Sequence, residues 1–158
     1  MIFSDGVRKV EIENQIIQNI CRYLQLDRKS PEAGGMLLGR EIISTNNLIV
    51  DKMTEPFPLD KRSRFRFFRK DSKHVDYYYE LYNASKQIYK YIGEWHTHPE
   101  AVPSYSSIDE KEWKRIVKSC PEDMAIYCVI AGTEKWRIWM VASDLKPQLL
   151  YEQNYDLL

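Results

Sequence analysis

No stretch of this sequence reaches the roughly 18 consecutive apolar residues that a membrane-spanning helix requires. The opening Met1-Ile2-Phe3-Ser4-Asp5 also lacks a signal-peptide pattern. A cytoplasmic protein without a membrane partner is the expectation. Net charge is lacking too: 23 basic residues balance 23 acidic ones, which removes any general attraction to nucleic acid or to a membrane surface and leaves only local patches. Cysteine is scarce. Cys21, Cys120 and Cys128 are odd in number and without CxxC spacing, so buried free thiols are expected in place of a disulfide framework or a cysteine zinc site. The HExxH pattern of helical zinc proteases is absent, as are repeats, linkers and low-complexity tracts.

What remains is a chain of 158 residues, 44% hydrophobic and 13% aromatic, enough to bury one core. We read residues 1–158 as a single domain. Val7 to Ile12 opens as a strand, and Ile16, Ile17, Ile20 and Leu24 then recur at helical spacing, predicting a helix over 14–26. Met36-Leu37-Leu38, bounded by Gly34, Gly35 and Gly39, reads as a buried strand, and Leu48 to Met53 as a second one. Pro56 and Pro58 force a loop. With Asp71 as a plausible cap, Val75, Tyr78, Tyr82, Ser85 and Tyr89 mark a long helix into Lys90 whose tyrosine stripe is expected to pack on the sheet. Tyr91 to His98 resumes an extended pattern, a helix begins near Ser106 or Ser107, and strands follow at 124–130 and 136–142. The order predicts a mixed sheet flanked by helices, of α/β or α+β class.

The chemistry is concentrated in Gly93-Glu94-Trp95-His96-Thr97-His98-Pro99. The period of two along a strand puts His96 and His98 on one face and Thr97 on the other, and Asp109, in the first turn of the next helix, can turn its carboxylate toward the same point. Two neutral imidazoles and a carboxylate suit zinc and leave a fourth position for water. Each piece has a plainer reading. A lone histidine is usually structural, and Ser107-Ile108-Asp109-Glu110 matches a helix capping box. Two of the three histidines standing two apart, followed by proline, serine and an acid at a helix start, make the metal reading the stronger. His74, in the tyrosine-striped helix, reads as structural or exposed.

His96-Thr97-His98-Pro99 followed by Ser106-x-x-Asp109 resembles the signature of the JAMM/MPN metalloprotease family without gaps. In that family a glutamate upstream, opening an apolar glycine-bounded strand, completes the site, and Pro31-Glu32-Ala33-Gly34-Gly35-Met36-Leu37-Leu38-Gly39 looks like that segment. The resemblance spans roughly Glu32 to Met140. It implies a cytidine-deaminase-like α/β fold, one zinc ion per chain held by His96, His98 and Asp109 with a catalytic water, Glu32 as general base, and Ser106 as a hydroxyl donor to the tetrahedral oxyanion or, more plainly, as a helix cap. Glu94, on the histidine face, is the rival base. The implied reaction is peptidase chemistry at an isopeptide bond beyond a ubiquitin-like tail.

Lys61 to Lys70 interleaves Arg64, Arg66 and Arg69 with Phe65, Phe67 and Phe68. It reads either as a surface that grips the protein carrying such a tail or as a solvated edge strand; nucleic acid is not the expected partner. The chain further resembles the bacterial branch of the family linked to type II CBASS antiphage defence. That branch implies a cGAS-like nucleotidyltransferase conjugate as substrate and a functional link to ubiquitin-transfer-like activating and conjugating enzymes. Processing of a sulfur-carrier protein and a non-catalytic MPN scaffold are the alternatives; the complete set of site residues argues against the scaffold.

Overall fold

The computed structural model describes residues 1–121 and 124–155; the remainder of the expected 1–158 domain lies outside the described residues. Its main sheet has eight strands: β1 Ile2–Ser4, β2 Lys9–Ile12, β3 Gly34–Ile42, β4 Asn47–Met53, β7 Lys90–Thr97, β8 Ile126–Ala131, β9 Lys135–Val141 and β10 Gln148–Asn154. They lie in the order β1-β2-β4-β3-β7-β8-β9-β10. A separate two-stranded hairpin is formed by β5 Lys61–Ser63 and β6 Arg66–Phe68. The helices are α1 Asn14–Cys21, α2 Lys73–Ala84 and α3 Ser107–Ser119, none long and apolar enough to cross a membrane among the described residues. The pairs β2/β4 and β7/β8 are parallel and the rest antiparallel, so the expected mixed sheet is found. Phe3 on β1 and Tyr151 on β10 lie with ring centroids 6.0 Å apart, which shows that the sheet curls until its two edges meet.

Each face of the sheet has its own apolar cluster. On one, Ile16, Ile17 and Ile20 of α1 pack with Val50, Trp95, Val129 and Trp136; on the other, Trp113, Ile116 and Val117 of α3 pack with Ile126, Cys128, Ile130 and Trp139. Burying each such side chain contributes about 1.5–3 kcal/mol. Strand β8, buried residue by residue, lies between the two clusters, and so it reads as an unbroken apolar run without alternation. Gly93 lets β7 and β8 approach, because a Cβ there would lie 1.8 Å from the Tyr127 carbonyl oxygen. Helix α3 is the crossover that a parallel β7/β8 pair requires, and it therefore starts at the carboxyl end of β7, beside His96 and His98.

Several elements differ from expectation. Helix α1 stops at Cys21, short of residue 26, because the following turn delivers Gln25 into the interior, where Nε2 donates to the Ser30 and Arg64 carbonyls. Strands β1 and β10 are additional; both are short or polar edge strands without alternation strong enough to mark them. Helix α2 ends at Ala84, and the chain leaves it through Lys86 and Gln87 at φ 54° and 68°. Of its stripe, Tyr78, Tyr82, Ser85 and Tyr89 are half-buried and Val75 is exposed, while Tyr77 and Tyr79 on the other side face solvent and His74 is the buried residue of this helix.

His74 is buried because it belongs to a polar knot. Its Nδ1 lies 2.6 Å from the Thr54 hydroxyl and its Nε2 2.8 Å from Asp60 Oδ2, and Thr54 Oγ1 also accepts from the Met36 amide. Asp60 further accepts from the amides of Phe57, Lys70 and Asp71. Burial opposes ionisation of Asp60, but these amides and His74 hold its carboxyl below the usual range. A folded-state pKa below the unfolded one contributes stability that is present above the unfolded value, near 4, and is lost as pH falls through the folded value. Asp60→Ala leaves the buried His74 ring and the part-buried Phe57 and Asp71 amides without their acceptor, at ~1–3 kcal/mol for a fully buried donor and less for the others, so the variant should lose about 3 kcal/mol. That corresponds to a Tm lower by roughly 6–12 °C for a domain of this size, and much of the wild type's loss of stability below pH 4 should vanish with it. Calorimetry across pH checks this; a Tm within 2 °C of wild type at pH 7 would refute it.

Candidate metal centre and catalytic groove

His96 lies at the carboxyl end of β7 and His98 directly after it, where the extended backbone turns both rings to the α3 side of the sheet, with the His96 ring 6.4 Å from that of Trp113. Their Nε2 atoms are 3.1 Å apart. Asp109 reaches them from the first turn of α3, with Oδ1 3.4 Å from His96 Nε2 and Oδ2 3.5 Å from His98 Nε2. The three ligand atoms lie within 4.8 Å of one another, and both rings present the same nitrogen. On its other side the His98 ring has Nδ1 3.8 Å from Glu100 Oε2, so Nε2 is the nitrogen turned toward His96 and Asp109. Two imidazole nitrogens and one carboxylate converging on one point are a donor set that fits zinc.

The electrostatics follow from crowding. Burial and the neighbouring His96 push His98 down. In His96 burial opposes the proton, but the Asp109 carboxylate, by hydrogen bond and by charge, and Glu32 raise it. Burial alone would raise Asp109, yet His96 and Ser106 hold it well below the usual carboxylate range.

Asp109 is fixed by a capping box that spans Ser106 to Asp109, one residue earlier than Ser107 to Glu110. Ser106 Oγ accepts from the Asp109 amide at 3.2 Å, and Asp109 Oδ2 accepts from the Ser106 amide and hydroxyl, each at 2.6 Å. The same serine thus caps α3 and orients the carboxylate. The positive end of the helix dipole lies there as well.

Glu32 is buried, its Oε1 3.9 Å from His98 Nε2. Burial, with the nearby Asp109 charge, raises its carboxyl to about 7 against the opposing pull of His96. Its place is set by Ala33, whose amide donates to Thr97 Oγ1 at 3.0 Å and whose carbonyl accepts from the Thr97 amide at 2.9 Å. Thr97, the residue between the two histidines that faces away from them, therefore ties the Glu32 segment to the histidine strand. Glu94 is also buried, but its Oε1 accepts from Arg69 at 2.9 Å and from the Tyr91 hydroxyl at 2.8 Å.

These groups open into a groove of about 1540 Å³ between the β5/β6 hairpin and α3. Arg64, Arg66 and Arg69 all line it but are engaged differently. Arg64 Nη1 donates to the Asp27 carbonyl, Arg66 is exposed with its guanidinium over Phe68, and Arg69 is paired with Glu94. Sequence reasoning missed the parts played by Gln25, Tyr91 and Thr97. No local pattern marks the first, whereas the alternation along β7 does place Thr97 opposite the histidines.

The sequence profile of the prokaryotic homologues of the JAB domain matches residues 14–142. Among curated proteins, the chain is 30% identical to a CD-NTase/cGAS isopeptidase of Pseudomonas aeruginosa over 87% of this chain and 86% of that protein. It is 29% identical to one of Escherichia coli over 92% of each. Among solved structures, a protein from Desulfitobacterium hafniense superposes with a TM-score of 0.59 at 14% identity, covering 92% of this chain and 90% of that one. That likeness bears on the fold alone.

Proposed function

The chain belongs to the prokaryotic homologues of the JAB domain, and on that premise we propose that it is a zinc metallopeptidase that hydrolyses the isopeptide bond joining the C-terminus of a cGAS-like nucleotidyltransferase to its target. It would act in the cytoplasm beside the ubiquitin-transfer-like enzymes that make the conjugate, within CBASS defence. The observation that carries this reading is the meeting of His96, His98 and Asp109 at one point, with Glu32 3.9 Å from His98. The names of the curated relatives support the substrate class.

His96 Nε2, His98 Nε2 and one Asp109 oxygen would hold the ion. When bound, zinc supplies Lewis acidity that polarises a carbonyl and acidifies water. Glu32, whose burial leaves it able to exchange a proton near neutral pH, takes the proton of the attacking water at a carboxylate oxygen. Water oxygen bonds to the carbonyl carbon, the C–N bond breaks, and Glu32 returns the proton to the departing amine. Ser106 Oγ exchanges its bond to Asp109 Oδ2 for one to the tetrahedral oxyanion while still accepting from the Asp109 amide. Arg64 and Arg66 contact the body of the substrate from the hairpin, and the tail lies extended in the groove, so that main-chain hydrogen bonds supply affinity.

A nucleotidyltransferase C-terminus fused to a reporter is the direct assay, with a ubiquitin fusion and an unrelated tail as controls. Cleavage should fall immediately after the C-terminal residue of the nucleotidyltransferase tail, located by mass spectrometry, and should be at least about tenfold faster than for either control. Equal cleavage of all three fusions would overturn the substrate assignment, and cleavage of none would overturn the activity.

A further inference from the structure

The β5/β6 hairpin lies against the segment that carries Glu32, and both polar groups of the Glu32 backbone are bonded to β5. The Glu32 amide donates to the Ser63 carbonyl at 2.8 Å, and Arg62 Nε donates to the Glu32 carbonyl at 2.7 Å. The Arg62 guanidinium is itself stacked over Tyr23, 5.9 Å from its centroid, and Tyr23 leans on Trp95. Strand β6 lies on the same segment. The Phe67 ring rests against Gly34, where a Cβ would come within 2.5 Å of Phe67 Cδ1.

The far end of the hairpin is anchored independently. Arg69 Nη2 donates to Glu94 Oε1 at 2.9 Å, and the Tyr91 hydroxyl donates to the same oxygen. Glu94 stands on β7 two residues before His96, with its side chain 13% exposed and that of Arg69 22%, so this pair is largely shielded from water. A rim arginine free to meet a substrate would not be spent in this way. The hairpin is therefore pinned at one end to the backbone of the base and at the other to the strand that presents the histidines.

We propose that Arg62 and Arg69 are positioning residues that hold the β5/β6 hairpin against Glu32 and so fix the base relative to His96 and His98. The inference rests on Glu32 as the base of the reaction proposed above. A hydrogen bond from a charged donor to a backbone carbonyl is among the stronger kinds, and a displacement of about 1 Å at a catalytic group costs on the order of a hundredfold in rate. Loss of either anchor should thus reach the chemistry without removing a group that touches substrate.

The test is amide exchange at Glu32, followed by NMR on the intact chain loaded with zinc, in Arg62→Ala, Arg69→Ala, Arg69→Lys and, as a control on the same hairpin, Lys61→Ala. In Arg62→Ala and Arg69→Ala the Glu32 amide should exchange at least about tenfold faster than in wild type, with zinc content retained. Lys61→Ala should leave it unchanged, and Arg69→Lys, which keeps the charge opposite Glu94, should restore most of the protection. On the nucleotidyltransferase fusion, the two alanine variants should lower kcat about tenfold to a hundredfold with KM nearly constant. Unchanged Glu32 exchange in both alanine variants overturns the proposal, as does a rise in KM at constant kcat, which would make the arginines substrate contacts. If either alanine variant fails to fold, Arg69→Gln and Arg62→Gln, which remove the charge but keep most of the side chain, take its place, with the same expectation of at least about tenfold faster Glu32 exchange. Should wild type not cleave the fusion, the substrate reading fails while the exchange result still decides the positioning role.

Discussion

Glu32→Gln should retain fold and metal and lose turnover by about 10²–10⁴-fold, because the amide keeps the shape of the carboxylate but cannot accept the proton that the attacking water must give up. The loss should fall on kcat, with KM little changed, since the carboxylate acts on the attacking water and is not placed to hold the tail. Glu94→Gln is the informative companion. Its carboxylate is already occupied by Arg69 and Tyr91, so the substitution should weaken the hairpin anchor and cost far less than the loss of the base. An inactive Glu94→Gln beside a nearly wild-type Glu32→Gln would falsify the assignment of the base.

The second large effect concerns the metal. The purified protein should hold about one zinc ion per chain, as three protein ligands with an open fourth position imply. Asp109→Ala removes the only charged ligand of the three and should lower retention about 100-fold or more, with activity lost in parallel; chelation of the wild type should abolish cleavage and added zinc restore it. Ser106→Ala separates two roles of the serine. Lost capping and carboxylate orientation cost about 1 kcal/mol of stability and weaken metal retention, whereas a lost oxyanion donor lowers kcat by about 10²–10³ at full metal occupancy. Metal analysis on dialysed protein, with kcat measured at saturating zinc, distinguishes them. Equal zinc retention by wild type and Asp109→Ala would remove Asp109 from the site.

The relation between sequence and site differs from residue to residue. His96, His98 and Asp109 were legible because their convergence is a local matter. Two residues apart on a strand must share a face, and an acid in the first turn of the crossover helix must lie at the strand's carboxyl end. The apolar runs of β3 and β8 were legible for the same reason, as burial on both faces leaves no polar position in the strand. Ser106 was legible as a residue but not as a set of bonds, since whether its hydroxyl faces an oxyanion or Asp109 depends on the rotamer that the cap imposes.

Composition and spacing in this chain determined one domain with a mixed sheet and a histidine-histidine-aspartate cluster at the end of a strand, because strand and helix periods act over a few residues. Tertiary structure alone decided the rest. It placed Glu32 by bonding its neighbour Ala33 to Thr97 and its backbone to Ser63 and Arg62. It turned Arg69 inward onto Glu94, buried His74 through Asp60 and Thr54, and left the tyrosines of α2 half uncovered. Each of these outcomes rests on hydrogen bonds or packing between residues far apart in the chain, and no local period carries information about a partner that only the closing of the sheet brings near.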